Sequence, residues 1–251
     1  METKPLTGKV ALVTGAARRV GASIALQLHK EGMNLVLHYH ASEGEAKSLC
    51  EQLNQERPQS AIVLRADLSA AESEKILIQH AASAWGRLDV IINNASRFYR
   101  TVIGKVTEYE WDDLMSSNLK APFFLAQAAL PYLAKTEGCI INIVDIHATR
   151  PLHDYSIYCI SKSGLVMATK ILAKELGPAI RVNAIAPGAI LWPEGENALS
   201  EEDKQKIIGH TALHRSGTPA DIAKAVLFFV RDGDYITGQV LGIDGGRMLF
   251  T

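Results

Sequence analysis

The chain has 251 residues, 47% of them hydrophobic and 21% charged, with a formal net charge of −1. That balance fits a soluble α/β protein with one large core, and its near-neutrality argues against a nucleic-acid or membrane-surface partner. Three cysteines without metal or disulfide spacing, a polar N-terminus and the lack of any apolar run of ~18 residues lead to the expectation of a cytoplasmic protein.

The first apolar run, Val10 to Val13, precedes a helix-like segment at about 19–31. Leu35 to Leu37, Ala61 to Leu64 and Val90 to Ile92 follow, separated by helix-like segments at about 43–56 and 70–85. A long amphipathic stretch at about 107–135 leads to Cys139–Val144, then a helix at about 154–176, then Val182–Ile185. A last helix at about 219–231 precedes Val240–Ile243. The runs are mostly β-branched with little alternation, as in parallel strands buried on both faces. Strand–helix alternation predicts a Rossmann-like, doubly wound, seven-stranded parallel sheet with helices on both faces. No Pro/Gly/Ser-rich linker divides the chain, so one domain is expected over 1–251. The stretch from about 192 to 215 breaks the alternation with Pro193, Gly195 and the run Glu201-Glu202-Asp203-Lys204. It reads as a substrate-side flap or as a solvated insertion.

Three places carry chemistry. After the first strand, Gly15, Arg18, Arg19 and Val20 lie in a turn ending at Gly21. Small residues there let backbone N–H groups reach a pyrophosphate at a helix N-terminus; a tight turn without ligand is the alternative. After the second strand, His38, Tyr39, His40 and Ser42 occupy the place where an acid would bind a ribose 2′-hydroxyl, and no acid comes before Glu43. With Arg18 available for a 2′-phosphate, this favours NADP(H) over NAD; ordinary loop histidines are the alternative. Finally, Tyr158 and Lys162 share a helix face at i, i+4. An ammonium there is expected to lower the phenol pKa and make Tyr158 a proton donor; chance spacing on a solvated face is the alternative.

Thr14-Gly15, Arg19-Val20-Gly21, Asn93-Asn94-Ala95, Tyr158 with Lys162, and Pro187-Gly188 stand in the order and spacing of short-chain dehydrogenases/reductases. The chain resembles that family through Asp244-Gly245-Gly246. The resemblance implies a nicotinamide cofactor and a homotetramer. It places Asn118 where a helix asparagine helps hold a proton-relay water, and Lys162 on the nicotinamide ribose. It assigns Asp67 and Leu68 to the adenine, Asn94, Ala95 and Ser96 to the cofactor, and Pro187, Gly188 and Ile190 to a loop over the nicotinamide.

Two departures narrow the subgroup: Arg19 replaces a usual glycine, and Asp145, thirteen residues before the tyrosine, replaces a usual serine. Both resemble pteridine reductases, as do Asn94-Ala95-Ser96-Arg97-Phe98 and Leu37-His38-Tyr39-His40. Ala41 departs from that subgroup, which often has arginine there. The resemblance implies NADPH-dependent reduction of a pterin or folate substrate. Proton delivery falls to Tyr158 and Asp145, the ring stacks on Phe98, and Arg19, Ser96, Leu191 and Trp192 line the pocket. Residue by residue, the alternatives are a capping Asp145, a core Phe98, a solvated Arg19 and a capping Asp67. For the whole chain they are a 3-oxoacyl or sugar carbonyl reductase and a non-catalytic NADP-binding sensor. No metal site is expected.

Overall fold

The computed structural model describes residues 5–192 and 199–250. Seven strands form one parallel sheet in the order β3-β2-β1-β4-β5-β6-β7. They are β1 (Val10–Val13), β2 (Asn34–Tyr39), β3 (Ala61–Arg65), β4 (Val90–Asn93), β5 (Cys139–Ile143), β6 (Arg181–Pro187) and β7 (Val240–Ile243). The chain runs outward from β1 to β3 and then crosses back to pair β4 with β1. In such sheets the crevice for ligands opens at the C-terminal ends of the strands on either side of that crossover.

Both faces of the strands are apolar because both are covered. Ala11 and Val13 face α1 (Arg19–Lys30), α2 (Glu43–Glu56) and α8 (Pro219–Arg231). Val10 and Leu12, offset by one residue, face α3 (Ser73–Ala84), α5 (Ala121–Thr136) and α6 (Ser156–Leu176). Leu12, Ile91 and Ile92 are fully buried; each such side chain stabilises the fold by roughly 1.5–3 kcal/mol relative to exposure. β3 and β7 are the edge strands, and β7 is largely exposed.

The expected single helix at 107–135 is interrupted. α4 (Glu108–Met115) begins with a capping box between Thr107 and Glu110, and a π turn, Ser116–Lys120, separates it from α5. Pro122 explains the break. It has no N–H, so the bond an α-helix would direct to the Asn118 carbonyl cannot form. The site-bearing residue therefore sits at the irregularity.

Within the expected flap, Ser200 caps a further helix, α7 (Glu201–Gly209), by accepting from the Asp203 N–H (3.1 Å). Pro193 and Gly195 lie outside the described residues. Among the described residues, no helix is long and apolar enough to cross a membrane, and no group of three or more His, Cys, Asp or Glu is placed to hold a metal.

Candidate active site

The first turn is locked to the loop after β4 by side chains. Thr14 Oγ1 accepts from the N–H groups of Asn94 (2.9 Å) and Ala95 (3.0 Å). Asn94 Nδ2 donates back to the carbonyls of Thr14 (2.9 Å) and Gly15 (3.1 Å). Gly15 has φ +61, and a Cβ there would lie 3.0 Å from Ala95 Cα. Gly21, in the first turn of α1, is tighter still: a Cβ would meet the Gly15 carbonyl at 2.2 Å and Asn94 Nδ2 at 2.7 Å.

Two effects of opposite sign therefore meet in Gly21→Ala. Helix propensity alone would stabilise by about 1 kcal/mol, whereas overpacking against backbone costs about 1–3 kcal/mol. Because the nearest atom is a backbone oxygen, overpacking wins. The urea midpoint is expected to fall; an unchanged or raised midpoint would contradict this packing.

His38 is corrected by the structure. It is buried, with Nδ1 accepting from the Gly15 N–H (3.2 Å) and Nε2 paired with the Ala66 carbonyl (3.1 Å), a network that assigns the proton to Nε2. Burial pushes its pKa down to about 4, so it is a neutral brace for the turn and does not serve as a phosphate contact. Its neighbours at the end of β2 differ in exposure. Tyr39 is buried, Ser42 precedes α2 without a side-chain cap bond, and exposed His40 lies 3.8 Å from Asp67. Asp67 Oδ1 accepts from the Ser69 N–H (2.9 Å) in a turn and does not cap the following helix, whose N-cap is Glu72; Leu68 is buried. Arg18, exposed, lies 3.9 Å from Glu45.

Tyr158, Asp145 and Lys162 converge at the end of β5. Tyr158 Oη donates to Asp145 Oδ2 (2.7 Å), while Asp145 Oδ1 accepts from the His147 N–H (2.8 Å). One carboxylate oxygen caps a turn and the other faces the phenol. Lys162 donates to the Ile143 carbonyl (2.8 Å) and stands 5.9 Å from the Tyr158 ring centroid. The expected lowering of the phenol pKa is absent. Burial, then the Asp145 charge, hold it well above its ordinary value. Burial lowers Lys162 to about 8, so the ammonium still predominates at pH 7.

Asn118, fully buried in the π turn, clamps the loop before Phe98. Its Oδ1 accepts from the Arg97 N–H (2.8 Å) and its Nδ2 donates to the Arg97 carbonyl (3.0 Å) and to Ser161 Oγ (3.1 Å). Ser96 is exposed on the same loop. Phe98 follows on this loop and is half-buried. One face stacks on Tyr155, centroids 4.5 Å apart and planes at 15°, and it meets Tyr158 edge-on at 4.7 Å. That face is filled by protein and is not open to a ring ligand. Tyr155 is the residue the sequence reading missed; its i, i+3 spacing to Tyr158 was the available signal.

The loop after β6 completes the crevice. Gly188 N–H donates to the Ile243 carbonyl (3.0 Å), and a Cβ on Gly188 would meet Asp244 at 2.7 Å. The Ile190 side chain is buried within the cluster on the α1 and α8 face, which leaves only its backbone for a cofactor contact. Leu191 is exposed, and the Trp192 carbonyl accepts from Arg19 Nη2 (3.1 Å), tying this loop to the first turn. Arg19 itself has φ +54.

A family model described as enoyl-(acyl carrier protein) reductase matches residues 15–247. A 3-oxoacyl-(acyl-carrier-protein) reductase from Staphylococcus aureus (strain N315) is 37% identical over 244 residues, covering 96% of this chain and 98% of that protein. Pteridine reductase 1 from Leishmania tarentolae is 35% identical over 289 residues, covering 99% of each. A solved blue fluorescent protein from a metagenomic library, in complex with NADPH, aligns with a TM-score of 0.90 at 32% identity, over 97% of this chain and 99% of that one. By identity alone the 3-oxoacyl reductases stand ahead of the pteridine reductase.

Proposed function

The chain belongs to the short-chain dehydrogenase/reductase family, and from that premise we propose that it is an NADPH-dependent oxidoreductase reducing a pteridine ring, dihydropterin to tetrahydropterin. The observation that carries the pterin reading is the hydrogen bond from Tyr158 Oη to Asp145 Oδ2. An ionised carboxylate only accepts hydrogen bonds. It suits the ring N–H and amino donors of a pterin and repels the oxyanion that develops on a ketone.

The dinucleotide fits the crevice. Gly15 and Gly21 let the first turn close against Ala95 and Asn94, α1 has no acid in its first turn, and no acid ends β2. Arg18, His40 and Ser42 are available to a 2′-phosphate, and Lys162 to the nicotinamide ribose. NADPH supplies the hydride when bound. The Tyr158 phenol stays protonated at neutral pH and gives its proton to the ring nitrogen as the C=N bond is reduced. Lys162 offsets the phenolate left behind, and a solvent proton restores the Tyr158–Asp145 pair. The shared negative charge of that pair keeps one proton between them.

The second reading is a 3-oxoacyl reductase, which the identities favour over the pterin reading. Steady-state NADPH oxidation with 7,8-dihydrobiopterin and with an acetoacetyl thioester separates the two. Turnover of the thioester alone would sink the pterin reading.

A further inference from the structure

A cavity of about 300 Å³ begins one residue beyond Asp145. Five of its lining side chains are basic: His147, Arg150, Lys206, His210 and Arg247. They come from three separate elements, namely the turn after β5, α7, and the 3₁₀ turn Arg247–Leu249. No carboxylate lines the cavity among the described residues.

The two arginines and the lysine are neutralised only in part by nearby carboxylates. Arg150 Nη1 donates to the main-chain carbonyls of Arg247 (3.4 Å) and Phe250, which fix its position without cancelling its charge. Lys206 reaches Glu202 (2.8 Å) and Asp203 (3.9 Å) on its own helix, exposed pairs that hold it weakly. Arg247 is half-buried and has no carboxylate within ion-pair distance among the described residues, although the charges of Asp145 and Asp244 act on it from farther away. Nδ1 of His147 donates to the Arg150 carbonyl (2.9 Å), and Nδ1 of His210 donates to the Lys206 carbonyl (2.7 Å). That leaves Nε2 as the uncommitted polar atom of each ring.

A half-buried guanidinium beside Arg150, with Asp145 and Asp244 acting on it only from beyond ion-pair distance, is better stabilised when an anion joins it in the cavity. Ile146, Leu152 and Ile207 supply apolar wall between the charges, suited to an aryl or alkyl linker. The His147 N–H that bonds Asp145 makes this wall continuous with the reacting pair. We propose that the cavity binds an anionic group, carboxylate or phosphate, carried on the tail of the substrate whose head reacts at Tyr158. This inference rests on the reductase reading. The same chemistry arises from the glutamate of a folate or from the phosphate of a pantetheine arm.

Two probes that carry the tail without the reacting head test the cavity itself: p-aminobenzoyl-glutamate and pantetheine 4′-phosphate, titrated calorimetrically into the NADPH-bound protein. At least one is expected to bind, and Arg247→Met and Lys206→Met are each expected to weaken it about tenfold or more. In kinetics, the same variants are expected to raise KM by about tenfold, at unchanged kcat, for dihydrofolate or for acetoacetyl-coenzyme A. KM for the uncharged counterparts, 7,8-dihydrobiopterin and acetoacetyl-N-acetylcysteamine, is expected to stay constant. The tailed substrate that responds identifies the source of the anion. Absence of binding by both probes to the wild type, or equal KM changes with and without the tail, would overturn the proposal. Probe binding without turnover of any substrate would keep the anion site and remove the reductase reading.

Discussion

Tyr158→Phe is expected to lower kcat for ring reduction by roughly 10²–10⁴-fold, the usual contribution of a positioned proton donor, with little loss of stability. The substitution removes only the oxygen that bonds Asp145 at 2.7 Å. The ring keeps its edge contact with Phe98 at 4.7 Å. Asp145 is half-buried, so water can replace the lost donor, and the destabilisation should stay within the ~0.5–1.5 kcal/mol of one hydrogen bond. NADPH affinity, measured by fluorescence titration, is expected to change little because the turn after β1, the proposed phosphate site, is untouched. Near-wild-type turnover by the variant would remove Tyr158 from proton delivery.

Asp145→Ser has the second-largest expected effect, and its sign depends on the substrate. A serine hydroxyl can donate to a ketone oxygen, whereas the carboxylate cannot; the carboxylate accepts from ring N–H and amino groups, where serine is the weaker partner. Pterin reduction is expected to fall by about 10²-fold, consistent with removing one charged hydrogen-bond partner in a buried site. Acetoacetyl thioester reduction is expected to rise. The substitution also removes the negative charge that, after burial, does most to raise the Tyr158 pKa. The pH at which activity is lost on the alkaline side is therefore expected to move downward. Unchanged pterin reduction with an unchanged pH profile would mean that Asp145 only caps the turn before His147.

How far the sequence could be read depended on the range of the interactions involved. The parallel sheet was legible because β-branched runs such as Val10–Val13 are apolar on both faces, and each face meets its own helix layer. Tyr158 and Lys162 were legible from local helix geometry. The direction of the tyrosine pKa was not, because it is set by burial and by Asp145, which reaches the ring only in the folded chain. His38 was read as a cofactor contact from its position after β2, but folding buries it and makes it a brace for the first turn. The break at Asn118 had a local cause in Pro122, yet the long amphipathic pattern hid it. The basic cavity had no sequence signal, since His147 and Arg247 are brought together only by the meeting of β5 and the chain end.

The substrate assignment sets one hydrogen bond against a small margin in identity, 37% against 35%. The most direct test is the ratio of kcat/KM for 7,8-dihydrobiopterin to that for acetoacetyl-N-acetylcysteamine, with NADPH, on the unmodified protein. Reduction at the Tyr158–Asp145 pair predicts a ratio well above one. A ratio well below one would assign the chain to 3-oxoacyl reduction and leave Asp145 as a structural cap.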